Sequence, residues 1–149
     1  MPEQTVPSVP SLYEQDETAW LEQTASLVSQ RRFAEIDHQN LSEYLSDMAR
    51  RDKREVLSRL VILLTHLLKW EHQPERRSNS WRGTILSQRR ELRQLLESGT
   101  LLRYAGEVLD KAYKAAIEQA AVESGLAEDV FPSERSLSLE EILAQDGDA

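Results

Sequence analysis

Residues 53–70 read Lys53-Arg54-Glu55-Val56-Leu57-Ser58-Arg59-Leu60-Val61-Ile62-Leu63-Leu64-Thr65-His66-Leu67-Leu68-Lys69-Trp70. This stretch decides the fold class. It is too long for an ordinary strand and holds no Gly or Pro, so helix is the natural reading. Val56, Leu57, Leu60, Val61, Ile62, Leu63, Leu64, Leu67 and Leu68 cover nearly every face of that helix. A helix apolar all round is expected to be buried on all sides, so it should be the centre of the fold. Its densest run, Leu60–Leu64 with Leu67 and Leu68, falls well short of the ~20 apolar residues that span a bilayer. Pro74 ends the pattern.

Working toward the N-terminus, Asp52 followed by Glu55 reads as a capping box that starts this central helix. The alternative is one helix running from His38 to Trp70 with a bend. Asp37 caps the preceding helix, on which Leu41, Tyr44, Leu45 and Met48 recur at three and four. A first helix from about Asp16 to Arg31 places Trp20, Thr24, Leu27 and Val28 on one face. Residues 1–12, with Pro2, Pro7 and Pro10, read as a flexible leader. Met1–Pro10 has no basic start and no apolar run, unlike a signal peptide.

Toward the C-terminus, Ser78, Asn79 or Ser80 caps a fourth helix to about Glu97. Its inner stripe is Trp81, Ile85, Leu92, Leu95 and Leu96. Gly99 reads as a stop and Thr100 as the next N-cap. A fifth helix, Leu101 to Ser124, repeats Ala105, Val108, Leu109, Ala112, Ala116, Ile117 and Ala120, small residues that permit close helix approach. Gly125 ends it. Phe131-Pro132 reads as a turn that docks a ring. Ser138 with Glu141 is a capping box before a short helix of Leu139, Ile142 and Leu143. Residues 145–149 read as a frayed acidic tail. No alternating strand pattern occurs. The expectation is an all-α bundle of about five main helices plus a short C-terminal one, in a single domain over 13–144, with sequential helices antiparallel.

The chain has 149 residues, no cysteine, five glycines and five prolines. Such a length supports a hydrophobic core of its own. Without cysteine there are no disulfides, thiolate metal sites or thiol nucleophiles, and a reducing cytoplasm fits. The net charge of −8 is unevenly spread. Two basic and nine acidic side chains lie in 1–49, thirteen and six in 50–103, and three and eleven in 104–149. The simple reading of a basic middle between acidic flanks is internal complementarity. The sharper reading is an anionic or nucleic-acid partner for the 69–93 region. The overall acidity disfavours that partner by repelling polyanions at long range.

The sharper reading has one location, the corner from Trp70 to Arg82. Lys69, Arg76, Arg77 and Arg82 flank Ser78 and Ser80 at a helix start. Free N–H groups, the positive helix end and guanidinium forks suit an anion, with Trp70 and Trp81 as stacking walls. Arg89, Arg90 and Arg93 would extend the basic surface. The competing reading is a capped corner with both indoles in the core and the arginines paired to acidic neighbours.

Other chemistry is thin. His66 and His72 are six residues apart, about 120° off on the helical wheel, so they do not converge as i, i+4 zinc ligands do. His66 reads as packed beside Trp70, four residues on. His38 has no partner in sequence. Glu140-Glu141 and Asp146 with Asp148 read as solubilising charges. No nucleophile elbow or phosphate loop is present. No catalytic residue, metal or cofactor is assigned. Three functions remain open: an interaction module for a protein partner, an anion or nucleic-acid binder at 69–93, and a small enzyme with a pocket near His66. A homodimer through a leftover apolar face is compatible with all three, and no membrane partner is expected.

The stretch Leu63-Leu64-Thr65-His66-Leu67-Leu68-Lys69-Trp70-Glu71-His72-Gln73-Pro74-Glu75-Arg76-Arg77-Ser78-Asn79-Ser80-Trp81-Arg82-Gly83-Thr84-Ile85 resembles the central signature of a bacterial family known only as domain of unknown function 29. Tyr13-Glu14-Gln15-Asp16, Trp20 and Arg32-Phe33 are similar to its opening. Phe131-Pro132 and Leu139-Glu140-Glu141-Ile142-Leu143 are similar to its close, so the resemblance covers residues 12–144. Ala49 stands where the family often has glycine, and Tyr44-Leu45 replaces a more acidic stretch. The resemblance implies an all-α fold in a bacterial, cytoplasmic protein and carries no activity with it.

Overall fold

A computed structural model describes residues 11–144. The expected acidic tail at 145–149 and all but the last two residues of the expected leader lie outside the described residues. The described chain holds six helices and no strand: α1 (Leu12–Gln15), α2 (Glu17–Ser29), α3 (His38–His72), α4 (Asn79–Leu95), α5 (Gly99–Ser124) and α6 (Leu139–Leu143). It forms two compact units, divided between Met48 and Ala49 inside α3.

In the first unit, Asp16 accepts the N–H of Ala19 at 3.0 Å and so caps α2 as its position suggests. Trp20 is buried, with Tyr13 edge-on at 4.7 Å and Tyr44 at 5.8 Å. Thr24 and Ile36 complete this small interior. At the end of α2, the N–H groups of Arg31 and Arg32 reach back to the carbonyls of Val28 and Leu27 at 3.0 and 2.9 Å. This double closure requires a left-handed residue, and Arg31 supplies it at φ 57°. Asp37 caps α3 by accepting the N–H of Asn40 at 3.2 Å. The ring of His38, partnerless in sequence, donates through Nε2 to the carbonyl of Phe33 at 2.7 Å.

Of the two readings left open for residues 38–70, the structure has the continuous helix, with no break at Asp52. Helix α3 runs without interruption through 35 residues, a length of about 50 Å. Residues 49–55 hold Ala, Arg, Lys and Glu, which favour helix and have no need of a cap. Glu55, taken as the reciprocal half of a capping box, instead accepts from Arg59 at 3.0 Å, an i, i+4 pair within the helix. Four of the six helices in the described residues, α2, α3, α4 and α5, are long. Helix α5 begins two residues earlier than Thr100 suggests: Ser98 is the N-cap, accepting from the N–H of Leu101 at 3.3 Å, and Gly99, read as a stop, is the first residue of the helix.

In the second unit, cross-helix contacts fix directions. Arg59 meets Gln88 and Lys69 meets Trp81, so α3 and α4 are antiparallel. Lys53 meets Tyr104 and Lys69 meets Glu123, so α3 and α5 are parallel. The core is built from Val56, Leu60, Leu63, Leu64 and Leu68 of α3, Ile85 and Leu92 of α4, and the stripe Ala105, Leu109, Ala112, Ala116 and Ala120 of α5. The stripe's four alanines, with no side chain beyond Cβ, are fully buried, as close helix approach requires. Gly125 ends α5 in the left-handed region at φ 75°. Phe131 and Ile142 return to the same core. The Ser138–Glu141 capping box before α6 is complete in both directions.

One expectation fails in an informative way. Helix α3 is not buried on all sides: Leu57, Val61, Ile62 and Leu67 are only half-buried. Three of these, Leu57, Val61 and Leu67, still pack against the core.

A groove beside His66 and a closed tryptophan corner

The corner from Trp70 to Arg82 is made by the end of α3, the 3₁₀ turn Pro74–Arg76 and the start of α4. Ser78 caps α4 by accepting the N–H of Trp81 at 3.2 Å. Ser80, one of the candidate caps, lies exposed in the first turn. Arg77 lies over Trp70, 4.9 Å from the ring, and donates through Nε to the Trp70 carbonyl at 2.8 Å. It thus neutralises an end carbonyl of α3. Lys69 is buried, 4.8 Å from the Trp81 ring and 3.7 Å from the Glu123 carboxylate. Both indoles are half-buried rather than in the deep core, and both face cations of their own chain. Arg77 covers one face of Trp70.

The basic residues expected to form an anion surface divide into two groups. Arg89 is buried and donates through Nε to the Ile142 carbonyl at 2.9 Å, and Arg93 donates to the Arg89 carbonyl at 3.3 Å. Lys69 and Arg89 are buried, whereas Arg77 is exposed and Arg93 half-buried, each holding a backbone carbonyl at the surface. Arg76, Arg82 and Arg90 are exposed.

His66 occupies a different place. Ser58, Val61, Ile62, Thr65 and His66 fall at i, i+3, i+4, i+7 and i+8 along α3, on one face. Gln119 and Glu123, one turn apart on α5, face them across a half-open groove of about 350 Å³. Val122, three residues after Gln119 on α5, is 80% exposed. Nδ1 of His66 lies 2.9 Å from the Ile62 carbonyl. A carbonyl only accepts, so Nδ1 carries the hydrogen, and in the neutral ring Nε2 is an acceptor. Thr65 is tied to the Val61 carbonyl at 2.7 Å. The groove thus has an aliphatic floor and a wall of hydrogen-bonding groups. His72 is on another face, with its ring edge-on to Phe131 at 5.2 Å and Nε2 buried without a partner among the described residues.

The sequence singled out His66 and Lys69 but missed Gln119, Glu123 and Ser58. Gln119 and Glu123 sit beside the alanine stripe of α5, and only a parallel α3–α5 pairing, a tertiary fact, brings them to His66. Among the described residues, no group of three His, Asp or Glu side chains is placed to hold a metal, and no helix is long and apolar enough to cross a membrane.

No curated protein and no solved structure matches the chain. The profile described as Domain of unknown function DUF29 matches residues 12–146. That match takes in both units and every helix from α1 to α6, and the chain belongs to this family.

Proposed function

We propose that the chain is a non-catalytic helical interaction module of the bacterial cytoplasm, and that a protein partner seats in the α3–α5 groove around His66. The supporting observation is the groove itself: half-buried Val61 and Ile62, ringed by Ser58, His66, Gln119 and Glu123. An apolar floor with a polar rim is the anatomy of a protein contact patch. The alternative as an anion or nucleic-acid binder loses support because buried Lys69 and Arg89 are committed within the fold, and Arg77 and Arg93 each donate to a carbonyl of their own chain. The absence of cysteine fits a reducing compartment.

The test is native co-purification with the full chain, an Ile62→Glu chain and a Leu102→Glu control at an exposed site on α5. A specific partner is expected with the wild-type and control chains and absent with Ile62→Glu. Recovery of no specific partner overturns the module reading, and a partner retained by Ile62→Glu overturns the groove. A second reading, a small enzyme, draws on the same groove with His66 beside Glu123. It requires a turnover abolished by His66→Ala in a chain of unchanged helicity.

A further inference from the structure

The second flank of α3 is covered by the chain's own C-terminal segment, and the way it is held suggests a receptor. Among the described residues beyond Gly125, the regular structure is the 3₁₀ turn Glu128–Val130 and the five-residue α6. So short a helix does not hold its shape alone; the seat imposes it. Two side chains anchor the segment, Phe131 at 2% and Ile142 at 0% exposure. Two donors from the bundle meet its main chain. Tyr113 of α5 donates to the Pro132 carbonyl at 2.6 Å, and buried Arg89 of α4 donates to the Ile142 carbonyl at 2.9 Å. At the rim, Arg135 reaches back to Asp110 at 2.8 Å.

The seat therefore recognises two apolar anchors about ten residues apart and two carbonyls between fixed donors. Nothing in that recognition depends on the segment belonging to the same chain. The connection to it, Ala127–Val130, is exposed, and its root is the left-handed Gly125. When the segment leaves, the buried Arg89 guanidinium loses this acceptor, which disfavours an empty seat. A small cavity of about 60 Å³ remains between the segment and Leu64, Leu67 and Tyr113, so the docking is less than perfectly packed.

We propose that this seat also accepts residues 131–143 of a second copy, giving a reciprocally exchanged dimer in which every seat stays filled. This is independent of the His66 groove, which lies on the other flank. One test uses a labelled peptide of residues 126–144 and two full-length chains, wild type and Ile142→Asp, whose own segment no longer seats. The peptide is expected to bind Ile142→Asp at least tenfold more tightly than wild type, where the resident segment competes. Equal binding to both, or binding to neither, overturns the proposal. A second chain lacks Ala127, Glu128 and Asp129, exposed residues outside the seat, so that Phe131 no longer reaches its own pocket. By sedimentation this chain is expected to be a dimer with wild-type helicity; a monomer overturns the exchange.

Discussion

The two flanks of α3 in the second unit carry similar residues and have different fates. On one, Leu64, Leu67 and Leu68 lie beneath the segment 131–143. On the other, Val61, Ile62 and His66 border an open groove against α5. The apolar pattern of α3 alone does not distinguish them. What differs is what later sequence supplies: α5 presents alanines to the core but Gln119 and Glu123 to the groove, while Phe131 and Ile142 return to close the opposite side. An apolar helix is thus central without being enclosed, and its uncovered side is where a partner has most to gain.

The comparison breaks most visibly in the core. Leu60→Ala is expected to lower global stability by about 3–4 kcal/mol, because a fully buried leucine leaves a cavity. Phe131→Ala and Ile142→Ala each remove a large anchor of the segment. Their double variant is expected to cost clearly less than the two singles added, since both report one docking equilibrium. Denaturant unfolding followed by circular dichroism checks this, and strict additivity would make the segment an ordinary part of the core.

On the open flank, Ile62→Ala is expected to cost about 1 kcal/mol or less, because its side chain already meets solvent. A cost near that of Leu60→Ala would mean that this flank is closed. Between the flanks, Glu123→Gln leaves buried Lys69 without its carboxylate, whereas Lys69→Met removes the charge and keeps the stem over Trp81. The first is expected to cost about 1 kcal/mol and more than the second, with Glu123 partly exposed and the pair screened accordingly. The reverse order by the same unfolding measurement would show that the ion pair does not organise this end of the groove.

The smallest expected effect is a pH dependence confined to the covered flank. Burial, and secondarily the Glu71 carboxylate, raises the pKa of Tyr113 above the ordinary value of 10.0. The folded state therefore holds this proton longer than the unfolded chain. The associated stability is complete below pH 10 and is lost as pH rises through the folded-state value. Ionised Tyr113 also ceases to donate to Pro132. Tyr113→Phe is expected to remove this alkaline loss, and an unchanged profile in that variant would assign it elsewhere.

The parts legible in sequence are those decided by local hydrogen bonds. Asp16, Asp37, Ser78, the Ser138–Glu141 box and Gly125 all cap where their chemistry says they should. Where local signals competed, propensity won: Asp52 looks like a cap, yet the helix formers around it carry α3 straight through. Thr100 looks like the cap of α5, yet Ser98, two residues earlier, takes the Leu101 N–H. The site was legible in half. His66 and Lys69 stand out as polar groups in an apolar run, but Glu123 and Gln119 gain meaning only from the parallel pairing of α3 and α5. Arg89 looks like one more surface arginine until Ile142 is brought over it.

Native-state hydrogen exchange tests the contrast between the flanks most directly. Amides held in the segment, those of Phe131, Ile142 and Ala144, which bond to the carbonyls of Glu128, Ser138 and Glu141, are expected to exchange through an opening well below the global unfolding free energy. Amides in the middle of α4 and α5 should exchange only through global unfolding. Equal protection of the segment and of α5 would contradict the account, because 131–143 would then be core rather than an occupant of a seat.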